Sequence, residues 1–262
     1  MRALSTAASG MRAYQTKIDN IANNLANANT TGFKKVREHF EDLVYQNLGS
    51  HGGANGASAT NPMQVGSGVR LASLTRDTTT GDATVTNSQT DFMINGDGYF
   101  KVEGPGGEEM YTRDGSFAPD VDGNLVTAAG YRVSPGITIP EGTTSLTVGA
   151  DGNVSATVAQ SDGSTQITQL GQFDLCRFSN PSGLEAAGGN LFRASTASGE
   201  AQSGSPGEDG MGSIQQGALE GSNVDVAEEL VGMITAQRSY ELSSKVIQAA
   251  DEMMSTAVNL RR

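Results

Sequence analysis

The chain of 262 residues has little of the chemistry that enzymes usually employ: one cysteine, two histidines and no tryptophan. Because Cys176 stands alone, no disulfide can form within the chain. His39 lies beside Glu38, and His51 lies in a glycine-rich stretch, so neither pairs in the sequence with a candidate nucleophile. We therefore predict no catalytic residues, no cofactor and a protein that is not an enzyme.

Metal ligands are also sparse. Residues 120–124 (DVDGN) resemble the opening of a calcium loop, but an EF-hand needs glycine at its sixth position and an acid at its twelfth. This chain has Leu125 and Tyr131 there. We predict a turn at this point and no metal site. Arg113 and Asp114 in YTRDGSF are likewise interpreted as a hairpin turn rather than a polar site.

Long hydrophobic runs are missing. No stretch approaches the ~20 apolar residues of a membrane span, so we predict no insertion into a membrane. The first 20 residues lack a continuous apolar region, so we expect no Sec-type signal peptide. The protein would then be cytosolic, or exported by a route that does not read such a peptide.

Positive charge is scarce in the long middle segment of the chain. The net charge is -12, and residues 46–221 carry seven basic and nineteen acidic residues. This excess of acid argues against nucleic acid as a partner. Glycine makes up about 13% of the chain, roughly twice the ~7% of average usage. Such a composition indicates many turns.

The N-terminal part carries apolar residues at helical spacing. The series that predicts one buried helix face is Leu4, Ala7, Met11, Tyr14, Ile18, Ile21, Leu25 and Ala28. Gly32 is predicted to end this helix in the left-handed conformation, with Phe33 packing back on it. A second short helix is predicted from about Lys35, with Val36, Phe40, Leu43 and Val44 on one side.

The segment IANNLANANTTGF (residues 21–33) places asparagine beside that apolar face, although asparagine is a mediocre helix former. The amide stripe consists of Asn20, Asn23, Asn24 and Asn27. Buried amides must pair, which would fix the register between helices. Amides that line a water-filled lumen would be neutral, and an ordinary two-helix stalk with water-facing asparagines is the plainer alternative.

The middle of the chain differs from the ends in composition and in hydrophobic pattern. Residues 46–68 are rich in Gly, Ala and Ser and predict an extended or mobile connector. From 69 to 210, short apolar runs alternate with turn dipeptides, and Asp-Gly begins at positions 97, 114, 122, 151, 162 and 209. Because Asp-Gly between alternating residues is a strong hairpin signal, we predict a mostly antiparallel β-rich outer domain over 69–210.

The end of the chain predicts one long helix after a return segment, together covering 211–262. Asp225 and Glu228 form a capping-box pattern at its start. One predicted seam consists of Val226, Leu230, Met233, Tyr240, Ile247 and Met254. A second consists of Leu242, Val246, Ala249, Met253, Ala257 and Leu260. A helix that is apolar on two sides needs more than one neighbour.

The predicted fold class is therefore α+β. The N-terminal helical part, 1–45, and the C-terminal helix would pack as a coiled-coil-like inner domain, with the β domain inserted between them. Two helices cannot cover all of these apolar and amide stripes, so we expect the remainder to be buried against other chains.

Three motifs resemble a known family. DNIANNLANANTTGFKK (residues 19–35) and SNVDVAEELVGMITAQRSYELSSKVIQAADEMMSTAVNL (222–260) resemble the N- and C-terminal signatures of the bacterial flagellar axial proteins of rod and hook. Residues 94–133, from INGDGYFKV to GYRV, are similar to the β domain of the same family. REHFEDLVYQNL (37–48) and QVGSGVR (64–70) resemble the distal rod members.

This resemblance implies a structural subunit of the flagellar basal body. Copies would be exported by the flagellar type III apparatus and would stack helically into a hollow drive shaft. Other rod proteins and the hook protein would lie along the axis, and periplasmic and outer-membrane bushing rings would surround the shaft. A hook or proximal rod subunit remains an alternative within the family. A secreted β-rich adhesin is the alternative from another class.

Overall fold

The chain ends form helices, and the residues between them form antiparallel strands. The computed structural model describes residues 2–49, 63–159 and 164–259. Two units are distinguishable within these residues. The helical unit comprises Met1–Ala26, Val36–Arg76 and Asp225–Arg262, and the β unit comprises Asn27–Lys35 and Asp77–Val224. The predicted α+β class, with terminal helices that pack together and an inserted antiparallel β domain, is confirmed. The domain boundaries given above remain predictions.

The two helices of the helical unit run antiparallel. Helix α1 spans Arg2–Ala26 and helix α2 spans Val226–Asn259. A Cβ on Gly10 would lie 3.7 Å from Ser243 Oγ, and a Cβ on Gly232 would lie 3.4 Å from Ile21 Cδ1. Later positions on α1 therefore meet earlier positions on α2, and glycine lets the two backbones come close.

Strands β1 to β4 complete the helical unit. Strand β1 (Val36–Asp42) pairs antiparallel with β4 (Val69–Arg76), and β2 (Gln46–Gly49) pairs antiparallel with β3 (Met63–Val65). The second helix predicted from Lys35 is wrong. Val36 and Phe40 fit a helical stripe, but burial alternates residue by residue along β1, which is the pattern of a strand.

Several sequence predictions fall beyond the described residues. Of the predicted connector, both ends pair as strands β2 and β3, and residues 50–62 lie outside the described residues. His51, Leu260 and the Asp-Gly dipeptide at 162 lie outside them as well.

The β unit consists of short antiparallel strands. They are β5 (Ala83–Val85), β6 (Phe92–Asn95), β7 (Tyr99–Glu103), β8 (Glu109–Thr112), β9 (Phe117–Pro119), β10 (Leu125–Thr127), β11 (Val133–Ser134) and β12 (Thr143–Val148). They continue with β13 (Asn153–Ala159), β14 (Thr165–Gln172), β15 (Leu175–Arg177), β16 (Glu185–Gly188), β17 (Leu191–Arg193), β18 (Gln202–Gly204), β19 (Ser213–Gln216) and β20 (Ala218–Glu220).

The largest sheet has the order β16-β17-β8-β7-β15-β18, and β11 also pairs with β7. A second sheet has the order β12-β13-β14, while β5 pairs with β20, β6 with β19 and β9 with β10. The Asp-Gly signals have two outcomes. Those at 122 and 151 join the paired neighbours β9–β10 and β12–β13, whereas those at 97 and 114 connect strands that pair elsewhere.

The few aromatic residues of the chain are concentrated in the core of the β unit. Phe92 and Phe173 have ring centroids 5.2 Å apart, and Phe100 and Phe117 are 5.3 Å apart. All four rings are buried. Because edge-on and tilted aromatic contacts add to the energy of burial, a small number of rings can hold this core together.

Helix α1 ends at Ala26, so the predicted helix end at Gly32 is wrong. Thr30 donates its backbone N–H to Asn27 O and its hydroxyl to Asn27 Oδ1, and both distances are 3.1 Å. Side chains of this type compete with helical hydrogen bonds and favour turns. Gly32 does adopt a left-handed φ of +67°, but its N–H donates to Glu220 O at 2.8 Å.

Gly32 supplies a test of this turn. We expect Gly32→Ala to destabilise the protein more than Gly130→Ala. A Cβ at Gly32 would lie 2.9 Å from the backbone of Arg113 and Asp114, whereas one at Gly130, also left-handed, meets nothing within 4 Å. Gly130→Ala should cost about 1–2 kcal/mol from its φ alone. Urea unfolding followed by circular dichroism measures both, and equal losses would contradict the steric argument.

Candidate assembly surface

Helix α2 leaves many large apolar side chains exposed. Of the predicted seam, Val226, Leu230, Tyr240 and Met254 are more than a third exposed, and Met233 and Ile247 are half-buried. Leu242 is 62% exposed and Met253 is 66% exposed. In a monomeric protein a contiguous apolar surface of this kind marks a site of association.

The face of α2 that meets α1 is built from small residues. The buried side chains of α2 are Ala236 and Ala250. On α1, Ile21 is buried, and the other predicted seam residues are half-buried: Leu4, Met11, Tyr14, Ile18 and Leu25. The contact between α1 and α2 therefore uses little of the apolar surface that α2 offers.

Two members of the amide stripe bind a strand of the same chain. Asn24, which is 2% exposed, donates to Val36 O at 3.0 Å and accepts from Val36 N at 3.1 Å. Asn20 donates to Val36 O and to Glu38 Oε2, both at 2.7 Å. These two amides are therefore satisfied within the chain, through β1. Neither amide pairing between helices nor a water-filled lumen is needed to explain them.

The other two amides lie in different surroundings. Asn23 is exposed on α1. Asn27 lies in the turn after the helix and accepts the hydroxyl of Thr30. The four asparagines thus do not share one environment, and an assembly role for this stripe remains a prediction.

The start of α2 is held by side chains on both sides. Asp225 Oδ1 accepts the backbone N–H of Ala227 at 2.8 Å and that of Glu228 at 3.1 Å. Such bonds satisfy N–H groups that the helix itself cannot pair. In the same turn, Glu229 Oε1 accepts a hydrogen bond from Asn24 at 3.3 Å. The first turn of α2 is thereby fixed to α1.

The β unit contains a buried ion cluster that sequence analysis missed. Glu220 Oε1 lies 2.5 Å from Lys34 Nζ, and Glu220 Oε2 lies 3.1 Å from Arg113 Nη1. These side chains are 3% exposed or less. Arg113 in YTRDGSF is thus a buried polar residue, and the predicted hairpin turn is wrong, because β8 and β9 on its two sides pair with other strands. Asp114 beside it accepts the N–H of Ser116.

Main-chain oxygens share the positive charge of the cluster. Lys34 donates to Thr79 O at 2.6 Å, and Arg113 donates to Ile94 O and Gly96 O. Burial lowers the pKa of Lys34, and the neighbouring carboxylate of Glu220 opposes that shift. Two cations therefore remain buried because one carboxylate and three carbonyl groups surround them.

The cluster joins the first and last segments of the β unit. Lys34 precedes its strands and Glu220 ends β20, and Gly81 N–H also donates to Glu220 Oε1 at 3.0 Å. Asn223 extends the junction by accepting Lys35 N–H at 2.7 Å and donating to Asp77 O at 3.0 Å. The places where the chain enters and leaves the β unit are thus held side by side.

Two kinds of site are absent from the part of the chain that the structure describes. Within the described residues, no three metal-binding side chains come together in a way that would hold an ion. No helix in the same residues is both long and apolar enough to cross a membrane.

The role of Asn24 leads to a prediction. Asn24→Ala should lower the free energy of unfolding by about 1–3 kcal/mol, because the N–H of Val36 loses its acceptor, while the C=O of Val36 keeps only the hydrogen bond from Asn20. Gln15→Ala, at an exposed amide of the same helix, should change it by less than about 0.5 kcal/mol. Urea unfolding of both variants measures the two changes in the free energy of unfolding. An Asn24→Asp variant as stable as the unmodified chain would contradict the role of the amide donor.

The ion cluster leads to a prediction about Glu220. Glu220→Gln should cost about 3–5 kcal/mol, because it leaves two buried cations without a counter-charge. Glu108→Gln is the matched control, since Glu108 pairs with Arg193 at 2.6 Å but is 57% exposed, and it should cost about 0–1 kcal/mol. Thermal unfolding compares them, and similar midpoints for both variants would show that the cluster is dispensable.

Comparisons with known proteins agree with this architecture. Residues 4–34 match the model described as "Flagella basal body rod protein", and residues 93–156 match "Flagellar hook protein FlgE/F/G D1 domain". Residues 215–260 match "Flagellar basal body rod FlgEFG protein C-terminal". The three matches include α1, part of the β unit and α2.

Relatives match over the full length. The flagellar basal-body rod protein FlgG of Borreliella burgdorferi is 48% identical, with 100% of this chain and 99% of the relative covered. That of Caulobacter vibrioides is 45% identical, with both chains covered completely. The flagellar hook protein FlgE of Brucella suis is 26% identical over 402 aligned residues, with 99% of this chain and 98% of the relative covered. The chain belongs to the family of flagellar basal-body rod proteins.

Proposed function

We propose that the chain is a structural subunit of the bacterial flagellar distal rod. Copies polymerise helically into a hollow drive shaft, which transmits motor torque through the periplasm and the outer-membrane rings to the hook. The observation that carries the proposal is the apolar surface of α2, which stays exposed although α1 already packs against the helix. Such a helix needs further helical neighbours, and other copies of the chain would supply them.

The energetics of the helical unit favour this function. Full burial of one exposed Leu, Val or Met side chain contributes about 1.5–3 kcal/mol before ordering costs. Leu242, Val246 and Met253 are exposed in the single chain, so much of this stabilisation would be gained only when they are buried by another chain. A lone helix is marginal in water, so association among helices would stabilise each copy as well as join it to the next.

Full-length similarity separates the proposal from its rival within the family. The relatives named as rod proteins are 45–48% identical and align over nearly the same length, whereas the hook relative is 26% identical over 402 aligned residues. This favours the rod over the hook. No catalytic role is proposed, and the buried charged groups of Lys34, Arg113 and Glu220 in the β unit pair with one another.

Partners follow from the same proposal. Other rod proteins and the hook protein would lie above and below along the axis, and the flagellar type III apparatus would export the chain. Periplasmic and outer-membrane bushing rings would surround the shaft. The acidic middle segment, with seven basic and nineteen acidic residues over 46–221, would present a hydrated surface to them.

The proposal is tested on α2. Leu242→Asp should abolish polymers of the purified chain, because it puts a charge on a face that would be buried between copies. Since Leu242 is 62% exposed in the single chain, the variant should keep its helical circular dichroism. Gln237→Asp, at an exposed polar position of α2, is the control and should still polymerise.

Electron microscopy and sedimentation measure the polymer in both variants. Straight tubes from the unmodified chain are expected, and curved tubes would indicate the hook instead. Normal polymers from Leu242→Asp would contradict the role assigned to the apolar surface of α2.

A further inference from the structure

A groove runs along the helical unit between α1 and the start of β4. Its volume is about 310 Å³. Arg12 and Ala13 of α1 line one side, and Leu43, Arg70 and Leu71 line the other. Ser9 and Thr16 line it as well, so the groove combines apolar side chains with hydroxyl groups and two arginines.

Backbone contacts fix the shape of this groove. Ser9 Oγ accepts the N–H of Val69 at 3.3 Å, and Leu43 N–H donates to Gly68 O at 2.8 Å. Gly68 has a φ of +121°, and a Cβ there would lie 3.2 Å from Ser9 Cβ. A glycine at this position therefore brings the chain against α1 and leaves the groove open beside it.

The end of α2 is the matching element. Helix α2 has 34 residues and α1 has 25, which gives lengths of about 51 Å and about 38 Å. Ala250 is the last residue of α2 that is buried. Met253, Met254 and Val258 continue the same side of the helix at spacings of three and four, and all are exposed. The face that packs on α1 thus continues after the packing ends.

This end cannot fill the groove of its own chain. Successive residues of a helix point about 100° apart, so Gly10, which faces α2, and Ser9, which faces β4, lie on different sides of α1. Helix α2 is antiparallel to α1, so its last turns run past the first residues of α1 and away from Ala13. The last turns of α2 from a second copy can reach the groove instead.

The charges of the two surfaces are opposite. Arg12 and Arg70 flank the groove, and Glu41 accepts one hydrogen bond from Arg70 at 2.9 Å. On α2, Asp251 and Glu252 are exposed, and the sequence has no Lys or Arg between Lys245 and Arg261. The carboxyl end of a helix also carries partial negative charge. The carboxylates and methionines of residues 251–254 therefore suit the arginine and leucine side chains of the groove.

We infer that the groove of one copy receives the last turns of α2 from a second copy. Met253 and Met254 would pack on Leu43 and Leu71, with Asp251 near Arg12. A groove and a helix end on different parts of one chain make a heterologous contact, and contacts of this type repeat without closing into a dimer. The inference rests on the proposed rod function and names one contact that holds the polymer together.

Disulfide trapping tests this contact. A chain carrying Ala13→Cys is mixed with a chain carrying Met254→Cys, polymerised and oxidised, with Arg261 and Arg262 kept in both. The native Cys176 is buried, and the unmodified chain serves as its control. A species of twice the chain mass is expected. A mixture of Gln15→Cys with Met254→Cys should give little of it, because Gln15 is exposed on the far side of α1.

The outcomes separate the inference from the proposed function. Tubes without the disulfide, or with equal yields from both mixtures, would overturn the contact and leave the rod function standing. Absence of any polymer from the unmodified chain would overturn the rod function and the contact with it.

Charge reversal gives a second, independent measurement. Arg12→Glu should raise the critical concentration for polymerisation roughly fivefold, since it replaces attraction by repulsion at the groove. The double variant Arg12→Glu with Asp251→Arg should return it to within about twofold. A double variant no better than the single one would overturn the pairing of these two residues.

Discussion

The side-chain amide of Asn24 is the constraint on which the helical unit depends. It joins α1 to the first residue of β1 through both the N–H and the C=O of Val36, and it reaches Glu229 in the first turn of α2. A side-chain amide offers donors and an acceptor on separate atoms without charge, so it can bind the N–H and the C=O of one residue at the same time. That requirement explains why a helix with an apolar face accepts asparagine, a mediocre helix former, at this position.

A second principle is the distribution of small and large side chains on α2. The buried residues are Ala236 and Ala250, while the larger Leu230 and Leu242 stay exposed. A self-sufficient pair of helices would place its largest apolar residues between them, because burial of area is what stabilises the contact. Close packing through Gly10 and Gly232 sets the register of the pair, and it leaves most of the apolar surface for contacts with other chains.

The sequence was sufficient for elements whose signals are local. The apolar spacing predicted both helices, Asp225 marked the start of α2, and alternating runs predicted an antiparallel β region. Val36 and Phe40 were misassigned because a spacing of four satisfies both a helix and a strand, and the deciding contact comes from Asn24. The ion cluster could not be predicted, since Lys34 and Glu220 are 186 positions apart and nothing near either residue reveals the other. Long-range pairing of buried charge leaves no periodic signal.

The two units therefore achieve stability by different physical means. In the β unit, Glu220 and Asn223 hold the last segment against Lys34 and Lys35, and the phenylalanine core lies among its strands. The entry and exit of that unit are closed by charge and hydrogen bonds within one chain, so it needs no copy to complete it. The helical unit has the opposite character: its hydrogen bonds are satisfied internally, but its apolar surface is not. Free energy that the single chain leaves unused on α2 is the free energy that assembly can release.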